Sequence, residues 1–246
     1  MFLSWLIPAH NEERRIEKTI REVDSYLRTK KNLDSSFQYE IILINAGSTD
    51  KTQEIAERLT KEVANFSILV TDGRGKGWAV KEGMLKSHGD IRLFSDADNA
   101  TSPDHWDRFA PLFTKGFDVV IGSRHYRDVP GAQQRVGEPL VRRIAGQMGN
   151  LWIQALAVPG IWDTQAGFKA FTKKAAEDIF SKTLMFGFSF DIEVLALARR
   201  LKYKINIVAL DWKHDPDSKV TMKSYIQVLL DVVKIRWNLI TRKYSQ

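Results

Sequence analysis

The sequence predicts an α/β fold in which a mainly parallel sheet is flanked by helices. Short apolar runs alternate with helix-like patterns over residues 2–121, and this alternation is typical of βαβ units. Several runs are apolar without interruption, as expected for strands buried on both faces of a parallel sheet. The chain has 246 residues, 43% hydrophobic and 27% charged, which predicts one large folded domain rather than a disordered protein.

Five strands are predicted in the first half of the chain, each a short apolar run between polar segments. They are Phe2–Ile7, Glu40–Ile44, Phe66–Val70, Ile91–Phe94 and Asp118–Ile121. The ligand site of an open α/β sheet lies at the carboxyl ends of its strands. We therefore expect the chemistry in the loops that follow these five runs.

Helices separate the strands because apolar residues recur there at spacings of three and four. The predicted helices are Glu12–Leu27, Asp50–Val63, Trp78–Ser87 and one from Pro103 to Thr114. In the first of them, Ile16, Ile20 and Val23 lie on one apolar face. Ser48 or Thr49 is expected to cap the second.

The second half of the chain is less regular, and two long helices dominate it. The predicted elements are a helix at Pro139–Leu156, a short strand at Ala170–Phe171, a helix at Asp191–Arg200, a strand at Ile205–Leu210 and a helix at Met222–Tyr244. Apolar residues form a stripe along the last helix, and basic residues flank it. We expect a domain over residues 1–220 and an amphipathic C-terminal helix over residues 221–246, which lies either on a membrane surface or on the domain itself.

Composition excludes several classes of protein. The absence of cysteine excludes a disulfide framework, a Cys-ligated zinc site and a Cys nucleophile. No apolar run is long enough to span a membrane, and the apolar start of the chain is expected to be a strand rather than a signal peptide. The net charge of +7 favours anionic partners such as lipid or a phosphorylated substrate, although a basic surface without a specific partner would have the same charge.

Two carboxylates follow the fourth predicted strand. Asp96 and Asp98 can reach one site if the chain turns there, and paired carboxylates with open positions suit Mg²⁺ or Mn²⁺ on a substrate diphosphate. A solvated surface pair is the alternative. The pattern by itself therefore indicates a metal site without establishing one.

Two further loops could bind an anion. Gly75 and Lys76 precede a predicted helix, where backbone amides and the helix dipole favour a phosphate, although a flexible turn has the same composition. Arg124 follows the fifth strand and could hold a phosphate with its guanidinium fork, joined by Arg143, or could form a surface ion pair. No P-loop, dinucleotide fingerprint or nucleic-acid recognition motif is present, so we expect no nucleic-acid partner.

Taken together, eight sequence blocks resemble family 2 glycosyltransferases, which have the Rossmann-like GT-A fold, in the branch that loads polyprenyl phosphate with a sugar. The blocks occur in the family's order over residues 3–220. They are Ile7–Glu13, Gly47–Thr52, Gly75–Val80, Asp96–Thr101, Gly122–Arg124, Asp163–Lys169, Phe190–Glu193 and Ser218–Val220.

The resemblance implies an inverting transfer of a sugar, with UDP-glucose as the expected donor and a polyprenyl or dolichyl phosphate as acceptor. It implies that Asp98 and Arg124 are catalytic and that Asp96 and Asp98 hold Mg²⁺ or Mn²⁺ on the donor diphosphate. The substrate-binding residues that it implies are Pro8, Ala9, Asn11, Glu12, Asn45, Gly75, Lys76, Asp96, Ala97, Arg143, Gln165 and Lys219. It also implies peripheral attachment to the cytoplasmic face of a membrane, and an oligomer is compatible with it.

One departure from the family pattern concerns the nucleotide base. The family has two aspartates before Gly47, and this chain has Asn45 and Ala46. Ala100 stands where a mannosyl branch has glutamine, which favours glucose. Transfer of mannose or an N-acetylhexosamine, another acceptor, and a non-catalytic sugar-nucleotide binder are the alternatives.

Overall fold

The structure is a computed structural model that describes residues 1–132, 140–211 and 222–245, without the side chains of 140–147, 222–223 and 245. Its strands are β1 (Phe2–Ala9), β2 (Gln38–Asn45), β3 (Phe66–Val70), β4 (Ile91–Ser95), β5 (Val119–Ser123), β6 (Phe168–Thr172) and β7 (Ile205–Ala209). Its helices are α1 (Ile16–Leu33), α2 (Thr52–Leu59), α3 (Lys76–Lys86), α4 (Trp106–Thr114), α5 (Leu140–Leu156), α6 (Lys173–Phe180), α7 (Phe190–Arg200) and α8 (Met222–Ile240). Short 3₁₀ turns span Pro103–His105 and Lys243–Ser245.

The strands form one mixed sheet in the order β3-β2-β1-β4-β6-β5-β7. All neighbouring pairs are parallel except those of β6, which runs antiparallel to both β4 and β5. The prediction of a mainly parallel sheet is confirmed. Because β6 runs the other way, the loop before it, rather than the loop after it, lies at the carboxyl end of β4.

Helices cover both faces of the sheet, as apolar strands buried on two sides require. Along β1 the side chains alternate, so that Leu6 packs with α3, α6 and α7 while Trp5 and Ile7 pack with α1, α2 and α4. Both layers are apolar, with Phe94 in the first and Phe168 in the second. The result is a three-layer α/β/α arrangement with the sheet in the middle.

The helices of the structure differ from the prediction at several points, and α2 also ends at Leu59 and α8 at Ile240, earlier than predicted. The first helix begins at Ile16 rather than Glu12, because residues 11–15 form turns that bond to the loop after β2. The predicted cap of the second helix is wrong: α2 begins at Thr52, and Ser48 and Thr49 bond to Asn11 instead. The helix α6, of 8 residues, was not predicted, although Ala175, Ala176, Ile179 and Phe180 form its buried apolar face.

The C-terminal helix α8 has two apolar faces. Val228, Val232 and Ile235 are buried in the core, in contact with the layer that contains α7. The opposite face carries exposed apolar side chains, namely Ile226, Leu230, Val233, Trp237 and Ile240. None of the helices among the described residues has the length and hydropathy needed to cross a bilayer.

Candidate active site

The carboxyl ends of β1, β2 and β4 meet the loop that precedes β6 and form one edge of the sheet. The backbone N–H of Ala46 donates to the carbonyl of Ala9 at 2.9 Å, which joins the loops after β1 and β2. The backbone N–H of Asp96 donates to the carbonyl of Gly167 at 3.1 Å, which joins the loop after β4 to the loop before β6. Most of the predicted site residues lie along this edge.

The loops after β1 and β2 are tied together by short polar side chains. Asn11 adopts a positive φ of 55°, and its amide oxygen accepts a hydrogen bond from the backbone N–H of Thr49 at 2.8 Å. The Glu12 N–H donates to the Thr52 hydroxyl at 2.8 Å. Asn11 and Glu12 therefore shape the loop next to Asn45.

Asn45 is buried at the end of β2, and both ends of its amide are engaged within the chain. Its Oδ1 accepts from the backbone N–H of Ser48 at 3.0 Å, and its Nδ2 donates to Gln53 Oε1 at 2.6 Å. An amide oxygen has two lone pairs, so Oδ1 retains one further acceptor site for a ligand. The neighbouring Ala46 is buried and presents only a methyl group.

The loop before α3 has a backbone that requires glycine at one position. Gly75 has φ 120°, a region that residues with a side chain rarely adopt, and a Cβ there would lie 2.5 Å from the carbonyl oxygen of Phe186. The next residue, Lys76, begins α3, and its Nζ lies 2.5 Å from Asp96 Oδ1. Burial opposes the charge of Lys76, but the carboxylates of Asp96 and Asp191 outweigh it and raise the pKa of the ammonium group.

Asp96 and Asp98 line one small polar cavity of about 20 Å³, together with Arg124 and Gly167. A space of that volume holds a single water-sized occupant. Burial raises the pKa of Asp98, and the negative charge of Asp96 raises it further. A divalent cation bound between the two carboxylates would favour the charged form of Asp98.

The donor set fits Mg²⁺ or Mn²⁺, because both prefer oxygen ligands and commonly use one or two carboxylates with substrate phosphates. Within the described residues no third carboxylate or imidazole joins the pair in a metal-binding group. Asp96 and Asp98 would hold such a metal together with oxygens of a substrate diphosphate. Gly167 is part of this geometry, because a Cβ on it would lie 1.8 Å from Asp96 Oδ2.

Arg124, at the end of β5, faces Asp163 in a two-pronged ion pair. Arg124 Nε lies 2.7 Å from Asp163 Oδ2, and the terminal nitrogen lies 2.8 Å from Oδ1. Burial opposes the charge of Asp163, but the Arg124 guanidinium holds the pKa of that carboxyl at about 2. Asp128 supports the pair, since its carboxylate accepts hydrogen bonds from Ser123 Oγ at 2.7 Å and from the Asp163 N–H at 2.8 Å.

The other predicted residues are placed less directly. Pro8, Ala9 and Ala97 are buried and shape the loops through their backbone. Gln165 is exposed, and its side-chain amide donates to the carbonyl of Phe188 at 3.1 Å. The backbone of Arg143 lies in α5, but its side chain is outside the described residues, and Lys219 lies outside them entirely. Their substrate-binding roles stay predictions.

Two acidic residues were missed from the sequence: Asp163, the partner of Arg124, and Asp128, which bonds to Asp163. Asp163 lies 39 residues from Arg124 and Asp128 lies 35 residues from Asp163, so no local spacing links them. The signal available was the block Asp163–Lys169, which follows Arg124 in the family's order. This block predicts a carboxylate at the site but does not identify the basic residue with which the carboxylate forms an ion pair.

Comparisons with known proteins find similar sequences over most of this chain. The model of the family described as "Glycosyl transferase family 2" matches residues 4–180. A dolichyl-phosphate beta-glucosyltransferase of Dictyostelium discoideum is 35% identical over 246 residues, covering 96% of this chain and 74% of the relative. The human dolichyl-phosphate beta-glucosyltransferase is 32% identical over 254 residues, covering 97% of this chain and 76% of the relative.

Solved structures show the same fold. Glucosyl-3-phosphoglycerate synthase from Mycobacterium tuberculosis, in complex with Mn²⁺, uridine diphosphate and phosphoglyceric acid, gives a TM-score of 0.65 at 20% identity, covering 95% of this chain and 76% of that one. Mannosyl-3-phosphoglycerate synthase from Rubrobacter xylanophilus gives a TM-score of 0.66 at 16% identity, covering 100% of this chain and 76% of that one. The architecture is thus GT-A, as predicted, and the chain belongs to glycosyl transferase family 2.

Proposed function

We propose that this protein transfers glucose from UDP-glucose to a polyprenyl phosphate of the dolichyl type, with inversion at the anomeric carbon. The observation that carries the proposal is one cavity lined by Asp96, Asp98 and Arg124, in a chain whose relatives are dolichyl-phosphate beta-glucosyltransferases. Two carboxylates suit a metal–diphosphate, and an arginine suits a phosphate. The site therefore has groups for both anions that the reaction brings together.

A divalent metal held by Asp96 and Asp98 would neutralise charge on the departing diphosphate. Lys76 adds a second positive charge at the same place, because its Nζ lies beside Asp96. Together, the metal and Lys76 would stabilise the UDP that leaves.

Arg124 would orient the phosphate of the acceptor. Asp163 fixes the guanidinium in one position, so that its orientation is set before the acceptor binds. An oxygen of the acceptor phosphate bonds to the anomeric carbon as the bond from that carbon to the UDP β-phosphate oxygen breaks, with the electron pair leaving on UDP. The acceptor oxygen is already ionised at neutral pH, so the reaction needs no strong general base.

A competition between donors tests the proposal. Equal amounts of UDP-glucose, UDP-N-acetylglucosamine and GDP-mannose, each with a distinct label, would be incubated with protein, Mn²⁺ and farnesyl phosphate. We expect the glucose label in the organic phase as the main product. A mannose- or N-acetylhexosamine-labelled lipid in its place would assign the protein to another branch of the family.

The pair Asn45 and Ala46 predicts weaker uridine binding than an aspartate pair would give. A charge-assisted hydrogen bond is about twice as strong as a neutral one. Restoring Asn45→Asp and Ala46→Asp should tighten binding of UDP by about 1–3 kcal/mol, measured by calorimetry with Mn²⁺. Asn65→Asp, at the amino end of β3, is the matched control. Equal or weaker UDP binding in the double variant would mean that the pocket does not recognise the base at these positions.

The exposed face of α8 supports a membrane surface as a partner. Leu230 and Trp237 are 61% and 66% exposed, and basic residues including Lys234 and Lys243 are exposed nearby. An amphipathic helix with such flanks binds anionic lipid through apolar burial and charge attraction. We propose that this face rests on the bilayer that contains the acceptor.

Replacing Leu230→Ser together with Trp237→Ser should weaken binding to phosphatidylserine-containing vesicles by about tenfold or more, because each side chain loses apolar burial. Co-sedimentation at fixed ionic strength measures this. Leu33→Ser, on the exposed end of α1, is the control and should bind as wild type does. Unchanged binding of the double variant would exclude this face as the membrane contact.

A further inference from the structure

One buried carboxylate has no part in the reaction described above. Glu193, on α7, has no exposed surface, and both of its oxygens accept hydrogen bonds. Burial raises the pKa of this carboxyl, and the hydrogen bonds of Tyr244, Met185 and Leu184 oppose that rise. A buried carboxylate with several donors fixes the positions of those donors, because leaving it with fewer partners is unfavourable.

On one side, Glu193 holds the segment that supports the donor loop. Its Oε2 accepts from the backbone N–H groups of Leu184 and Met185 at 2.9 and 2.8 Å. The carbonyl of the next residue, Phe186, accepts the backbone N–H of Gly77 at 2.8 Å. The loop of Gly75 packs on the same carbonyl so closely that no Cβ fits between them. The position of this loop, and of Lys76 within it, depends on the segment that Glu193 holds.

On the other side, Glu193 holds the C-terminal end of the chain. Its Oε1 accepts from the hydroxyl of Tyr244 at 2.6 Å, and Tyr244 is buried in the turn that follows α8. A second bond fixes α8 near its middle, where Asp231 Oδ2 accepts from Ser189 Oγ at 2.5 Å, just before α7. The helix that carries the exposed apolar face is thus bonded to the same helix that carries Glu193.

We propose that Glu193 is a positioning residue for the donor loop and that its bond to Tyr244 couples the C-terminal helix to donor binding. The inference rests on the proposed function only in taking UDP as the part of the donor that the Gly75–Gly77 loop receives. Coupling of this kind is reciprocal, so a ligand at the loop also stabilises the bond at Tyr244.

Tyr244→Phe removes one hydroxyl and tests the coupling. In calorimetric titrations with UDP and Mn²⁺, we expect its Kd for UDP to rise by about 2- to 30-fold, the usual range for a substitution within a coupled network. The KM for farnesyl phosphate should stay at the wild-type value, because the bonds of Arg124 are untouched. Tyr203→Phe is the matched control. The hydroxyl of Tyr203, just after α7, donates to Asp178 in α6, away from the donor loop. The Tyr203→Phe variant should therefore bind UDP as wild type does.

Hydrogen exchange on the wild-type chain tests the same coupling without a substitution. Adding UDP and Mn²⁺ should slow exchange of the amides of Leu184 and Met185 and of the peptide that contains Tyr244. Unchanged exchange there, wild-type UDP affinity in Tyr244→Phe, or an equal loss in Tyr203→Phe would each overturn the inference. If the wild-type protein binds no UDP, the proposed function fails and the inference fails with it. If it binds UDP but gives one of the contrary results above, only the inference fails.

Discussion

Replacing Asp98 with alanine should lower the rate of glucose transfer by about a thousandfold or more while the protein stays folded. Asp98 lines the cavity between the carboxylates and Arg124, and it lies in a loop after β4 rather than in the apolar core. Its loss would remove one of the two carboxylates that would hold a metal on the leaving diphosphate. The transfer assay with Mn²⁺ measures the rate, and circular dichroism checks the fold.

A stability measurement distinguishes loss of metal binding from loss of structure. The pKa of Asp98 is raised in the folded state, so the protonated carboxyl favours folding. This contribution is complete below the unfolded pKa and is lost as pH rises through the folded pKa. At neutral pH its charge therefore opposes folding. Asp98→Asn should melt at a higher temperature than wild type without metal, and Mn²⁺ should raise the melting temperature of wild type but not that of Asp98→Asn.

Asp104→Ala is the control for both experiments, since Asp104 is an exposed carboxylate in the 3₁₀ turn before α4. It should keep the wild-type rate and the wild-type response to Mn²⁺. Full transfer by Asp98→Ala, or wild-type activity in excess EDTA, would contradict the assignment of the metal site.

The second large effect is expected at the pair of Arg124 and Asp163. Their side chains are only 20% and 9% exposed, and removing one member leaves the other charged and poorly solvated. Asp163→Asn should lower the free energy of unfolding by about 3–5 kcal/mol at neutral pH. Urea denaturation measures it, with Lys174→Ala as control, because the pair of Lys174 and Asp178 is largely exposed and should contribute nothing measurable.

The same pair predicts an acid transition. The folded pKa of Asp163 is about 2, below its unfolded value near 3.9. The stability that it contributes is therefore complete above the unfolded pKa and is lost as pH falls through the folded one. We expect wild type to lose about 2–3 kcal/mol between about pH 5 and pH 2 that Asp163→Asn does not lose. Parallel pH profiles of the two proteins would contradict the pairing.

The sequence predicts the elements of this fold better than their arrangement. Continuous apolar runs give the strands, and β3 is found at Phe66–Val70 as predicted. The spacing of apolar residues does not show which strands lie next to each other in the sheet. The antiparallel insertion of β6 between β4 and β5 could therefore not be predicted. The stripe on α8 was found, but the second apolar face, with Val232 in the core, shows only in the packing.

The residues of the site could likewise be predicted from the sequence better than the contacts between them. Asp96, Asp98 and Arg124 could be named from loops at strand ends, and the structure brings them to one cavity. The engagement of both ends of the Asn45 amide could not be predicted, because Gln53 and Ser48 reach it through turns whose geometry the sequence leaves open. The role argued for Glu193 depends on Tyr244, 51 residues away.

The central claim is that one site joins a nucleotide sugar to a lipid phosphate. The most direct measurement incubates the protein with labelled UDP-glucose, farnesyl phosphate and Mn²⁺ and counts UDP, free glucose and glucosyl lipid together. The account predicts UDP and β-linked glucosyl lipid in equal amounts, with none of either in EDTA. UDP with free glucose alone, or a donor that is bound but never consumed, would contradict it.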